Sequence, residues 1–372
     1  MQIGITAETR QGESRVAATA ETVKKLVSQG HQVLVSSGAG VTASQTDEAY
    51  QLVGASIGSQ ADALGCEMVL KVRIPNAAEI SQMKSGAIVV GMLNPFDAEG
   101  LQALNAANLT GFALEAAPRT TRAQSMDVLS SQANIAGYKA VVLAANEYQR
   151  FMPMLMTAAG TVKAARVVIL GVGVAGLQAI ATAKRLGAVI EASDVRPPVK
   201  EQVESLGGKF IDVPFETDEE REIAKGSGGY AKAMPESWMK RQSVAVAERV
   251  KLADIVISTA LIPGRKAPTL ITEAMVQSMK PGSVIVDMAV EQGGNCPLSE
   301  MGKTVIKHGV HIIGEANLPG LLAADASALY ARNVIDFLKL VFDKDGKFGV
   351  NMEDDIVAAC LMCHGGELKR KN

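Results

Sequence analysis

Short runs rich in aliphatic residues mark the strands that this chain predicts, and 166–170 among them shows no polar alternation. They fall at residues 2–5, 32–35, 68–72, 87–91 and 110–114, and again at 166–170, 188–192, 209–213, 254–258 and 283–287. A run without alternation suits a strand buried on both faces of a parallel sheet. Helical stretches separate the runs, among them 20–28, which ends at Gly30 as a C-cap, 98–108 and 177–186. Strand and helix in turn predict an α/β chain of two doubly wound parallel-sheet, Rossmann-like domains joined by long helices.

The pattern also places the boundaries. Residues 1–125 read as an N-terminal Rossmann-like domain to which 326–372 returns, 126–149 as a linking helix, and 150–325 as a second domain. In the helical stretch 124–149, Met126, Leu129, Ala133, Ala136, Val141 and Leu143 can line a buried stripe, and no proline interrupts it. Residues 318–342 are helical enough to lead the chain back, and a polar turn at 342–348 precedes a final short strand or tail. Residues 216–238 begin acidic and then become glycine-rich through Gly226, Gly228 and Gly229, which predicts a mobile surface loop.

Candidate chemistry concentrates at 166–194. The buried run 166–170 is followed at once by Gly171, Gly173 and Gly176, a G-x-G-x-x-G spacing with Val172, Val174 and Ala175 between the glycines. The first glycine permits a tight turn, the second lets backbone approach a pyrophosphate, and the third lets helix and strand pack closely. The helix that follows would turn its free N–H groups and positive dipole end to the phosphates. A second apolar run then ends at Asp194, eighteen positions after Gly176. An acid at about that distance accepts from the adenosine ribose hydroxyls of NAD and repels the extra phosphate of NADP; Arg196, beyond Val195, is the opposing signal. Because the acid holds the strand end, NAD(H) is the expected dinucleotide.

Length and composition narrow the picture. The 372 residues suffice for two full cores, and 48% hydrophobic with 20% charged residues is near a globular average. A net charge of -2 with scattered basic residues argues against nucleic acid. Residues 167–183 carry no charge but are interrupted by glycines and Gln178, so they divide better into strand, turn and helix than into a membrane span. The first ten residues have an acid, Glu8, and an arginine where a secretory signal needs an apolar stretch, so a cytoplasmic chain is expected. Four cysteines make no disulfide framework, and no metal site is expected. Cys360, Cys363 and His364 spell the C-x-x-C-H of haem attachment, which reads as coincidence without export or a second axial ligand.

Five separated blocks carry a resemblance over nearly the whole chain: PRTTRAQSMDVLSSQANIAGY at 118–138, GVGVAGLQAIATAKRLGA at 171–188, GSGGYAK at 226–232, TALIPGRKAP at 259–268 and VIVDMAVEQGGNCPLS at 284–299. In them the chain resembles the NAD(H)-binding domain I, or alpha-1 subunit, of proton-translocating NAD(P)+ transhydrogenase, within the wider alanine dehydrogenase superfamily. The resemblance implies Re/Si-specific hydride transfer between NAD(H) here and NADP(H) on a partner domain. It further implies a homodimer, partner subunits forming a membrane proton channel, and peripheral attachment to the membrane's inner face. It assigns the nicotinamide half of NAD(H) to Arg119, Gln124, Asp127 and Ser130. Cofactor-binding roles fall to the Gly171–Gly176 turn, Asp194, Val195, Arg196, Gly226, Tyr230, Thr259, Ala260 and Leu261, with Tyr230 at the tip of a loop closing over the nucleotide. Thr120 and Thr121 depart from the usual apolar-serine pair, at positions outside those roles.

The rival within the superfamily is an alanine dehydrogenase. There an arginine and a lysine hold the amino acid carboxylate, and Arg15 and Lys71 stand at the matching places. A histidine acts after the next strand in those enzymes, whereas 89–95 here contains none; His31, His308, His311 and His364 lie elsewhere. Oxidative deamination needs a proton acceptor within hydrogen-bond reach of the substrate. Hydride transfer between two nicotinamide rings needs geometry and water exclusion, not a titrating side chain. A regulatory NAD sensor is the binding-module alternative.

Overall fold

The computed structural model describes residues 1–196, 199–224 and 234–370. The chain divides into two compact units, Met1–Gln132 with Pro319–Asn372, and Ala133–Leu318.

In the first unit the strands Ser56–Gly58, Gln32–Ser36, Gln2–Ile5, Met68–Arg73, Ile88–Met92 and Thr110–Ala113 lie side by side in parallel. The order reverses between Gln2–Ile5 and Met68–Arg73, which makes the carboxyl ends of those two strands the natural crevice. Ile3, Ile5, Leu70, Val90 and Phe112 pack with Tyr330, Phe337 and Leu338 of the helix Ala323–Val341. The tail then completes the sheet. Leu361–His364 pairs antiparallel with Thr110–Ala113, and Glu367–Leu368 forms the edge. This explains the C-x-x-C-H spelling: Cys360 and Cys363 are core residues whose thiols burial pushes up, and His364 Nδ1 bonds Thr110 Oγ1 at 2.9 Å.

The second unit runs Lys209–Phe210, Val189–Ser193, Arg166–Leu170, Ile255–Ser258, Val284–Asp287 and Val310–Ile313 in parallel, with Thr304–Lys307 antiparallel at the edge. Third, second, first, fourth, fifth and sixth is the dinucleotide-binding order, and it reverses between Arg166–Leu170 and Ile255–Ser258. Alternate residues of Arg166–Leu170 feed opposite cores. Val167 and Ile169 join Ala140, Ala144, Ala179 and Ile180, whereas Val168 and Leu170 join Val246, Val250 and Val276. The run lacks polar alternation because neither face meets water.

Several expected bounds shift. The fingerprint helix is Val174–Arg185 rather than 177–186, since it begins inside the glycine turn. The run 209–213 keeps only Lys209–Phe210 as strand, and from Ile211 the chain is irregular. The stretch 124–149 is a short 3-10 helix, Thr121–Met126, followed by the helix Val128–Glu147. Leu129, expected in its buried stripe, is exposed, while Ile135, Ala140 and Ala144 are buried instead. Gly137 in that helix allows a close approach, because a Cβ there would stand 2.1 Å from the Ala175 carbonyl oxygen. Among the described residues no helix is long and apolar enough to cross a membrane.

Candidate functional site

The glycine turn leaves the end of Arg166–Leu170 at the strand-order reversal. Gly171 has φ 92, a left-handed backbone that a Cβ disfavours, and a Cβ would stand 2.7 Å from Thr259 Oγ1. Gly176 is constrained by packing, with 2.1 Å between its Cβ position and the Gly171 carbonyl oxygen. Gly173 differs from both. Its φ of -83 suits any residue, and a Cβ there meets nothing within 4 Å. Among the described residues no neighbour requires glycine at that point, and Gly173 is also the uncapped N-cap of the helix Val174–Arg185. An open, uncapped helix start suits an anion approaching backbone.

Asp194 follows Val189–Ser193 and braces the same turn. Its Oδ2 accepts from Val172 N at 2.7 Å and from Arg196 Nη2 at 2.9 Å, while its Oδ1 accepts from Arg196 N and Nε, both at 2.9 Å. Arg196 also donates to the Val172 carbonyl at 3.0 Å. The two residues that the sequence sets in opposition are therefore a bidentate pair lying on the turn. Val195 packs beside Trp238, Met234 and Ala224.

Thr259, Ala260 and Leu261 continue from Ile255–Ser258 on the other side of the reversal. Thr259 Oγ1 donates to the Gly171 carbonyl at 2.8 Å, while the Leu261 side chain is half exposed. The sequence reading missed what holds this loop. Asn295, fully buried, donates its amide hydrogens to the Ala260 carbonyl at 2.9 Å and the Pro268 carbonyl at 2.8 Å. Asn295 N in turn donates to Asp287, a buried carboxylate that also accepts from Ala289 N, Cys296 N and Ser299 Oγ. The available signal was an acid ending an apolar strand just before Gly293 and Gly294, both of which adopt positive φ.

The other sequence-predicted group lies in the first unit. Ala123 and Met126 are buried and pin the 3-10 helix Thr121–Met126, on which Gln124 is exposed; Arg119, just before it, is exposed as well. Arg122 holds this segment to Asp354 at 2.6 Å and to Asp355. Asp127 caps Val128–Glu147, its carboxylate accepting from Ser130 N at 2.9 Å and from Ser130 Oγ at 2.6 Å. Asp127 and Ser130 are thus one bonded pair. Gly226 and Tyr230 lie outside the described residues.

Arg15 and Lys71 occupy the crevice of the first unit, and both are satisfied within it. Arg15, 2% exposed, is bidentate to Glu13 at 2.7 and 2.6 Å, and Lys71, 1% exposed, reaches Glu79 at 2.8 Å and Glu8 at 3.5 Å. Burial works to raise Glu13, but Arg15 and Arg73 outweigh it and hold the carboxyl at about 2. Burial raises Glu8 despite Lys71. An amino acid carboxylate entering here would have to displace carboxylates already paired and buried.

Comparison with known proteins places this architecture. The family description "Alanine dehydrogenase/PNT, N-terminal domain" matches residues 4–136, and "Alanine dehydrogenase/PNT, C-terminal domain" matches 140–371. The chain is 53% identical over 377 aligned positions to an NAD(P) transhydrogenase subunit alpha polypeptide of Rhodospirillum rubrum, covering 99% of this chain and 97% of that one. It is 44% identical to the NAD(P) transhydrogenase subunit alpha of Haemophilus influenzae, covering 99% of this chain and 71% of that one. Alanine dehydrogenase of Bacillus subtilis is 32% identical, with 86% and 80% covered. Among solved structures, a transhydrogenase from Sinorhizobium meliloti superposes with a TM-score of 0.86 at 47% identity, covering 99% of this chain and 98% of that one. An L-alanine dehydrogenase gives 0.78 at 27%, with 99% and 96% covered. With both domain descriptions matched, the chain belongs to the alanine dehydrogenase/PNT family.

Proposed function

We propose that this chain is the NAD(H)-binding subunit of a proton-translocating transhydrogenase, passing hydride directly between NAD(H) held here and NADP(H) on a partner domain. The observation that carries the reading is Gly173: a glycine that neither its φ nor any neighbour among the described residues demands, at an uncapped helix start where the strand order reverses. The Gly171–Gly176 turn would hold the pyrophosphate, with Asp194 and Arg196 toward the adenosine ribose and Thr259, Ala260 and Leu261 along the lip. Arg119, Gln124, Asp127 and Ser130 would orient the nicotinamide half, the amide of Gln124 offering both donor and acceptor. Bound NADH supplies the hydride. The chain's own task is orientation and water exclusion, which a serine-tied aspartate, an arginine and an amide accomplish without changing protonation state.

The transhydrogenase relatives, at 53% and 44% identity, support this reading over an alanine dehydrogenase at 32%. The occupied ion pairs of Arg15 and Lys71 support it as well. By the same resemblance, NADP(H) and the proton passage belong to partner subunits that hold this chain at the membrane's inner face. A homodimer is favoured by the hairpin Leu155–Thr157 and Gly160–Val162, whose Leu155, Met156 and Val162 are all exposed. The discriminating assay supplies the purified chain with NAD and alanine and no partner. NADH should bind but none should form, and steady turnover of alanine would overturn the proposal in favour of the dehydrogenase.

A further inference from the structure

We propose that Asn333 is a positioning residue for hydride transfer, its single side-chain amide clasping Ser125 and Ser131 and so fixing the attitude of Gln124, Asp127 and Ser130. This rests on the reading that those three residues orient the nicotinamide half of NAD(H). Asn333 stands on the helix Ala323–Val341 and is 8% exposed. Its Nδ2 donates to the Ser125 carbonyl at 2.7 Å, and its Oδ1 accepts from Ser131 Oγ at 2.7 Å. Ser125 adjoins Gln124, and Ser131 adjoins Ser130. The clasp therefore closes around Asp127, with one hold before it and one after.

An amide suits this place because it carries a donor at one end and an acceptor at the other. A carboxylate of the same shape would keep the bond from Ser131 but set an oxygen against the Ser125 carbonyl. The mount has backing: Gln132 Nε2 donates to the Ala326 carbonyl on the same helix at 3.0 Å, and Gln132 Oε1 accepts from Arg15 Nη1 at 2.8 Å. Arg15 is itself locked by Glu13. The arginine that an alanine dehydrogenase would use for a substrate carboxylate thus steadies the turn that carries Ser130. Transfer between two rings is steep in distance and angle, and a misplacement of about 1 Å can cost on the order of a hundredfold in rate. Affinity drawn from the glycine turn does not depend on this clasp.

The test uses the full chain with an NADP+-loaded partner domain and measures NADH dissociation constants beside single-turnover hydride transfer. Asn333→Ala and Asn333→Asp should slow transfer by roughly tenfold to a hundredfold while the dissociation constant moves by less than about threefold. Ser131→Ala, which leaves half of the clasp, should slow it less. Wild-type transfer in Asn333→Asp, or rate and affinity lost in equal proportion, overturns the proposal. Thermal unfolding of each variant identifies a folding defect, and should Asn333→Ala unfold, Asn333→Asp and Ser131→Ala decide. A wild-type chain that transfers no hydride overturns the underlying functional reading instead, so the two failures are told apart.

Discussion

Gly173 and Gly176 lie in one turn under different constraints. A Cβ on Gly176 collides with the Gly171 carbonyl, whereas a Cβ on Gly173 meets nothing within 4 Å among the described residues. Gly176→Ala should therefore destabilise the chain by about 1–3 kcal/mol, the usual range for overpacking. Gly173→Ala should leave stability within about 0.5 kcal/mol yet weaken NADH binding tenfold or more. Denaturant unfolding beside an NADH titration separates them, and equal losses of stability would remove the ligand-based account of Gly173. The spacing of these glycines was legible in the sequence, but their separate reasons were not, because each depends on what stands opposite in space. For the same reason Asp194 and Arg196 read as rivals when they are partners. Glu115 gave no sequence signal at all. It accepts from Leu93 N and Asn94 N, and burial pushes its carboxyl from the ordinary 4.5 up to about 7. A folded value above the unfolded one means that its contribution is complete below about pH 4.5 and is lost as the pH rises through about 7. Glu115→Gln should therefore gain stability relative to wild type across that window and hold a constant difference above it. Parallel pH slopes for the two proteins in urea unfolding would contradict this. Glu13, held at about 2, titrates outside the window.

At the scale of elements, the strands buried on both faces were the most legible, since Arg166–Leu170, Ile255–Ser258 and Val284–Asp287 are aliphatic for the same reason that they are central. Edges were hard to read. Thr304–Lys307 alternates exposed and half-buried positions around a turn at His308 and Gly309, both with positive φ, and its apolar content is too low to mark a strand. The hairpin Leu155–Thr157 and Gly160–Val162 was missed because its pattern answers to no core of this unit: both strands are exposed throughout, with Met156 at 71%. Apolar side chains on an exposed hairpin are commonly covered by a partner, and a second copy of the chain is the proposed one. Met156→Asp should shift the chain from dimer to monomer in sedimentation at micromolar concentration while the monomer keeps the circular dichroism spectrum of the folded chain. A variant that remains as dimeric as wild type would place the dimer surface elsewhere.

For the whole molecule, the two units share a strand order but not a chemistry. One opens its crevice with a glycine turn and an uncapped helix, while the other fills its crevice with the paired charges of Glu8, Glu13, Lys71 and Glu79. That contrast fits the proposed placement of the dinucleotide in one unit and argues against an amino acid substrate in the other. The first unit instead carries Arg119, Gln124, Asp127 and Ser130, on a segment held by bonds from Asn333, Gln132 and Arg15. In the proposed reaction hydride passes directly from one nicotinamide to another with no protein acid or base taking part. Single-turnover reaction of stereospecifically deuterated NADH on this chain with an NADP+-loaded partner domain, in ordinary water, tests it most directly. Direct transfer predicts that the NADPH formed carries the deuterium in full, with a primary isotope effect on the transfer step. Deuterium lost to solvent, or no NADPH at all, would contradict it.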